Sequence, residues 1–206
     1  MSETARRLHD RAKAFGMTVP PHAEARLVTY FDLLFRWNQK INLTSLSNID
    51  EAIDRLLLEP VAAARELPHS PDIIDLGSGG GSPAIPLALA LSATLLVMVE
   101  SRSRKAAFLR EAVRELGMNA VVEAARFEEV AARPDYQGGM DVVSIRAVRM
   151  DSPAWTAAAV FLKSQGTVAL FTTAEANPLE DLPETLVWQK TTPLLNRAHL
   201  VLLSRP

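Results

Sequence analysis

The rhythm of apolar and polar positions changes near residue 67. Before that point it is helical. A polar-rich run from Thr4 to Phe15 stops near Gly16, and Pro20-Pro21 marks a turn and a second helix start. From Glu24 to Ile41, the residues Leu27, Tyr30, Phe31, Leu34, Phe35 and Ile41 recur at helical spacing, with Asp32, Arg36, Gln39 and Lys40 opposite. Asp50 is the expected N-cap of a third helix carrying Ile53, Leu56 and Leu57, which Pro60 should kink or restart. Leu67-Pro68-His69-Ser70-Pro71 reads as a linker. Beyond it, short apolar runs alternate with helical ones. Strands are expected at 72–76, 95–100, 119–124, 141–146 and 166–172, and helices at 83–91, 102–116 and 152–163. That alternation predicts an α/β fold with a mostly parallel sheet. Two late runs, Leu186–Gln189 and His199–Leu203, predict a terminal antiparallel pair. The chain thus divides into an N-terminal helical extension, 1–66, and an α/β domain, 67–206.

The first strand runs into Asp75-Leu76-Gly77-Ser78-Gly79-Gly80-Gly81-Ser82, and a helical run follows. Strand, glycine loop and helix let backbone approach a nucleotide closely. Glu100 ends the next apolar run, 21 residues after Gly79, where an acid accepts hydrogen bonds from ribose hydroxyls. A dinucleotide fingerprint needs glycine or alanine where this chain has Ser82. The spacing Asp75-x-Gly77-x-Gly79-x-Gly81 instead resembles the first motif of class I S-adenosylmethionine methyltransferases, with their Rossmann-like fold. That cofactor has no pyrophosphate, so the loop would pass a ribose and a methionine tail, and Asp75 would face the ammonium. A ligand-free turn and a dinucleotide site remain the alternatives.

Composition narrows the classes. With 48% apolar and 22% charged residues, the chain can build a sizeable core. No apolar stretch reaches membrane-spanning length, and Met1–Arg7 lacks a signal-peptide core. A cytoplasmic location and no membrane contact are expected, with a monomer as the default. The absence of cysteine excludes thiolate metal sites and covalent cysteine chemistry on pyrimidines. His9, His22, His69 and His199 are scattered, so no metal site is expected. A net charge of −2 leaves room only for local basic patches, such as Arg6, Arg7, Arg11 and Lys13, or Arg102, Arg104, Lys105, Arg110 and Arg114.

Four blocks together resemble the bacterial small-subunit ribosomal RNA guanine-N7 methyltransferases, also called the glucose-inhibited division protein B family. They are Trp37–Thr44, Asp75–Ala88, Glu100–Leu109 and Ser144–Ala147. The first block is the specific one. The chain departs from the family at Leu56–Val61, at Phe127 and at Phe171–Thr173. The resemblance implies S-adenosylmethionine as cofactor and 16S rRNA or the small ribosomal subunit as partner. It implies a cofactor site from Asn38, Asn42, Thr44, Asp75, Gly77, Ser78, Gly79, Gly81, Glu100, Ser101, Phe127, Glu128 and Arg146. Phe127 and Glu128 would take the adenine, and Arg146 and Arg126 would act at the reacting centre. Lys163 is a weaker candidate. Guanine N7 carries an in-plane lone pair, so alignment rather than a base would drive the reaction. An assembly factor that holds the cofactor without turnover, a small-molecule methyltransferase and a nucleotide-dependent oxidoreductase are the rival classes.

Overall fold

A computed structural model describes residues 1–173 and 182–206. Helix α1 (Glu3–Ala14) is capped by Ser2, whose hydroxyl accepts the Ala5 N–H. Helix α2 (Pro21–Asn38) begins on a proline, where a missing N–H leaves nothing unsatisfied. It ends before Ile41 because Asn38 folds the chain back. The Asn38 Oδ1 accepts the Leu43 and Thr44 N–H groups at 2.8 and 3.0 Å, and its Nδ2 donates to the Thr44 carbonyl.

Helix α3 (Ile49–Ile53) is capped by Asn48 and not by Asp50. The Asn48 side chain accepts the Asp50 and Glu51 N–H groups, which leaves Asp50 in the first turn to pair with Arg7. A π-helical turn (Asp54–Leu58) follows, closed by the Glu59 N–H on the Asp54 carbonyl. Helix α4 (Glu59–Ala63) then restarts around Pro60, which has no N–H to continue the preceding ladder.

The seven strands are β1 (Asp72–Leu76), β2 (Leu95–Val99), β3 (Ala120–Glu123), β4 (Met140–Arg146), β5 (Leu162–Thr173), β6 (Val187–Pro193) and β7 (Ala198–Ser204). Their order is β3-β2-β1-β4-β5-β7-β6. The first five pair in parallel, and β7 and then β6 add antiparallel. The expected terminal pair is present, with β7, the later strand, seated inside. Helix α5 (Ala84–Leu91) links β1 to β2, and α6 (Ser103–Leu116) links β2 to β3. Helix α7 (Phe127–Ala131) is a short addition to the expected set, and α8 (Ser152–Phe161) ends two residues early, so that β5 starts at Leu162.

Strand alternation distributes the core over two faces. Ile73, Met98 and Val142 pack with Leu27, Leu87 and Leu109 on one face. Ile74, Val97 and Val143 pack with Trp155 and Phe161 on the other. The extension shares the first core through Leu8, Tyr30 and Leu57. Arg11 locks α1 in place with two hydrogen bonds to buried Asp54, which also accepts from Asn196. Two of the four early basic residues, Arg7 and Arg11, therefore dock α1. Lys163 ties Asp72 to Asp141 at the amino ends of β1 and β4, away from the glycine loop. No helix among the described residues is long and apolar enough to cross a membrane.

One backbone position in the glycine loop makes this packing testable. Gly81 has φ +87°, and a Cβ there would stand 2.8 Å from Ile85 Cδ1 and 3.3 Å from Tyr30 Cε2. Gly81→Ala is expected to destabilise the fold by about 1–3 kcal/mol, read as a lower midpoint in thermal or urea unfolding.

Candidate active site

The sheet order reverses between β1 and β4, and the glycine loop leaves β1 at that switch point. The loop is held from several directions. The Gly77 and Ser78 N–H groups donate to the Val99 carbonyl at 2.9 and 3.0 Å. The Gly79 N–H donates to Glu100 Oε2 at 2.8 Å, and the Arg102 N–H donates to Glu100 Oε1 at 2.7 Å. From α2, the Tyr30 hydroxyl donates to the Gly80 carbonyl at 2.6 Å. Gly77 has φ +70°, and a Cβ there would meet Val148 Cγ2 at 2.8 Å, so the loop is bare where the chain turns. Ser78 is buried and donates to the Asp75 carbonyl, which places it inside the loop. Gly81 faces Tyr30 and Leu109, so it serves packing.

A cleft of about 110 Å³ opens beside Gly77 at the carboxyl ends of β2 and β3. Glu100, Ser101, Arg126, Phe127 and Glu128 line it with Gly77. Six of the residues expected at the cofactor thus meet in one place. The donor set suits a nucleoside: a carboxylate for paired hydroxyls, a half-buried aromatic ring for a flat base, and an acid for an exocyclic amine.

Asp75 lies just behind the loop, 1% exposed. Its Oδ1 accepts the Ser144 hydroxyl at 2.5 Å across the β1–β4 pair, while its Oδ2 has no partner. Burial pushes its pKa up to about 6 against the lowering effect of the Ser144 bond. A buried carboxylate oxygen without a donor fits a cationic group placed at this loop.

A second cleft, about 330 Å³, is lined by Asn42 and Thr44 on one side and by Arg55, Arg102, Lys105 and Arg146 on the other. No carboxylate lines it among the described residues. Asn38 shapes this cleft without lining it, since its amide holds the 43–44 loop. That loop touches the glycine loop, because a Cβ on Gly80 would lie 3.1 Å from the Leu43 carbonyl oxygen. Arg146 and Arg126 fall in different clefts, so the structure does not bring the two arginines together. Arg146 donates to the Arg55 carbonyl at 2.7 Å, to Ser82 Oγ at 3.4 Å and to Glu59 Oε2 at 3.2 Å, and it lies 4.7 Å over the Phe171 ring. Burial lowers its pKa, and burial raises that of Glu59 to about 7.

The sequence reading missed Tyr30, Arg55 and Glu59 as site residues. Tyr30 carried a signal, since a tyrosine on an apolar helix face needs a partner for its hydroxyl. Glu59 carried one as well, as a lone acid in the apolar run Leu56–Val61.

Comparisons with known proteins agree with this geometry. The family described as rRNA small subunit methyltransferase G matches residues 23–194. Ribosomal RNA small subunit methyltransferase G of Nitrosomonas europaea is 41% identical over 130 residues, 61% of this chain and 59% of that protein. The Neisseria meningitidis serogroup A protein of the same name is 35% identical over 158 residues, 75% of this chain and 74% of that protein. Among solved structures, M. jannaschii TYW2 in complex with AdoMet aligns with a TM-score of 0.55 at 16% identity, covering 81% of this chain and 78% of that one. A putative methylase from Haemophilus influenzae aligns at 0.54 and 20% identity, covering 70% and 91%. Those two likenesses establish a methyltransferase fold. With the family pattern running through most of its length, the chain belongs to the rRNA small subunit methyltransferase G family.

Proposed function

We propose that this chain is an S-adenosylmethionine-dependent methyltransferase acting on N7 of a guanine in 16S ribosomal RNA. The observation that carries the reading is the Glu100 carboxylate fixed by the Gly79 N–H at the floor of the nucleoside-sized cleft. Glu100 would accept the ribose hydroxyls, and Phe127 and Glu128 would hold the adenine face and amine. Asp75 Oδ2 is the acceptor for the methionine ammonium, and the Asn42–Thr44 loop covers that end of the site. When bound, the cofactor supplies an electrophilic methyl on a sulfonium.

The residues of the chain then have three tasks. Guanine N7 has a free lone pair in the ring plane, so no side chain needs to take a proton before attack. The glycine loop and Asp75 fix the donor's position. Arg55, Arg102 and Lys105 form a cationic wall suited to RNA phosphates. Arg146 sits at the carboxyl end of β4, where it reaches a base O6 or a phosphate. Alignment and exclusion of water account for the rate. The helical extension, 1–66, acts as a cover on the methyltransferase domain, 67–206. All of these groups come from one chain, so a monomer suffices, and the cytoplasm is the expected location for its ribosomal substrate.

Three outcomes test the reading. Small-subunit RNA incubated with the enzyme and methyl-labelled cofactor should gain one labelled 7-methylguanosine by mass mapping; label on protein or metabolite with RNA untouched overturns the substrate. Glu100→Gln should raise the Kd for S-adenosylmethionine by roughly 10–100-fold in calorimetry, since a charge-assisted acceptor is lost.

The third outcome concerns Asp75. Its folded pKa of about 6 exceeds the ordinary carboxylate value, so the folded state binds a proton more tightly than the unfolded one. Its contribution to stability is therefore full at low pH and is lost as pH rises through about 6. Relative to Asp75→Asn, the ligand-free wild type should lose roughly 2–3 kcal/mol between pH 4 and 7 in urea unfolding. Parallel pH profiles for the two proteins would refute the assignment.

A further inference from the structure

A third cleft, about 670 Å³, lies between the start of α3 and the β6–β7 turn, over the carboxyl end of β5 at Thr173. It is large enough for a nucleoside. Arg55 lines both this cleft and the cationic one, so the two adjoin. At their boundary stand Glu59, which lines the larger cleft, and Arg146, which lines the smaller.

Glu59 is 3% exposed. Its Oε2 accepts from Arg146 at 3.2 Å, long for a charge-assisted pair, and its Oε1 has no partner. A carboxylate oxygen buried without a donor is costly. Its raised pKa, near 7, reports the same under-satisfaction.

The group now touching Glu59 indicates what else fits. A guanidinium offers a carboxylate two N–H donors in one plane. The Watson–Crick edge of guanine offers the same planar fork, N1–H beside N2–H₂. We propose that Glu59 reads the target guanine, whose N1–H and N2–H₂ donate to the carboxylate in place of the Arg146 guanidinium. This rests on the reading of the chain as a guanine methyltransferase. The N7 edge is opposite the Watson–Crick edge, so a base held by Glu59 turns N7 away from it. One guanidinium already spans the gap between Glu59 and Ser82 of the glycine loop, a distance suited to a flat purine. Arg146, displaced, is free for O6 or a phosphate. Adenine presents a donor beside an acceptor on that edge and leaves one carboxylate oxygen facing a lone pair.

The test uses oligoribonucleotides carrying either guanosine or inosine, which lacks the N2 amine, at the mapped target. Wild-type kcat/KM should favour guanosine by about 10-fold or more. Glu59→Gln should lose most activity on guanosine RNA and most of that preference, with the Kd for S-adenosylmethionine within about twofold of wild type. Glu59→Asp, which keeps the acceptor, should retain the preference. Equal methylation of both RNAs by wild type, or an unchanged preference in Glu59→Gln, overturns the role of Glu59 alone. Failure to methylate any guanosine RNA overturns the proposed function and takes this inference with it.

Discussion

The glycine loop between β1 and α5 is fixed by groups that do not belong to it. Val99 and Glu100 hold its first half from β2, and Tyr30 holds Gly80 from α2. Residues with so little side chain have no packing of their own, and free glycine is the most costly residue to order. The loop therefore takes its shape from the neighbours, and the site inherits that shape. Asp75 stays underneath because Ser144, paired beside it across β1–β4, supplies one donor and leaves the other oxygen bare. Cofactor geometry in this chain is thus a consequence of strand register and of the helix packed over it.

The same dependence explains why the N-terminal helices belong to the site. Tyr30 and Asn38 lie on α2, one bonded to the glycine loop and the other to the 43–44 loop. The two loops meet where Gly80 passes the Leu43 carbonyl. Helix α2 is itself set by the apolar core it shares with β1 and α5, and α1 is set by the Arg11–Asp54 pair. A disturbance far from the cleft, in the α1–α3 contact, would reach the methionine end of the site through rigid, packed elements.

Much of this fold was legible in the chain. The 72–76 strand, the glycine loop, and Glu100 at the next strand end follow from period-two runs and turn chemistry, which are local. What escaped was non-local. Nothing in Leu186–Gln189 or His199–Leu203 says which one pairs with β5, because sheet order is decided by burial against α8 and by loop length. Asp50 and Asn48 are both good caps, and Arg7, 43 residues away in the chain, draws Asp50 into another role. Phe127, Glu128 and Glu100 could be placed together, since strands β2 and β3 are neighbours. Arg146 and Arg126 could not be told apart, because only the sheet order separates their clefts.

Charge balance gives the last step. Asp75, Glu59 and Arg146 are all buried at the carboxyl ends of the central strands, and the acids are pushed toward neutrality while the arginine is pushed toward losing its proton. A chain selected only for stability would replace such groups with apolar ones of similar volume. Each of the two carboxylates instead keeps one oxygen with no protein donor. In the proposed reading these two unfilled positions take the two ligands the reaction needs, an ammonium at Asp75 and the donor edge of a base at Glu59. Binding both would remove the electrostatic penalty from the empty fold. The same free energy that destabilises the unliganded protein is then available to orient donor and acceptor toward one another.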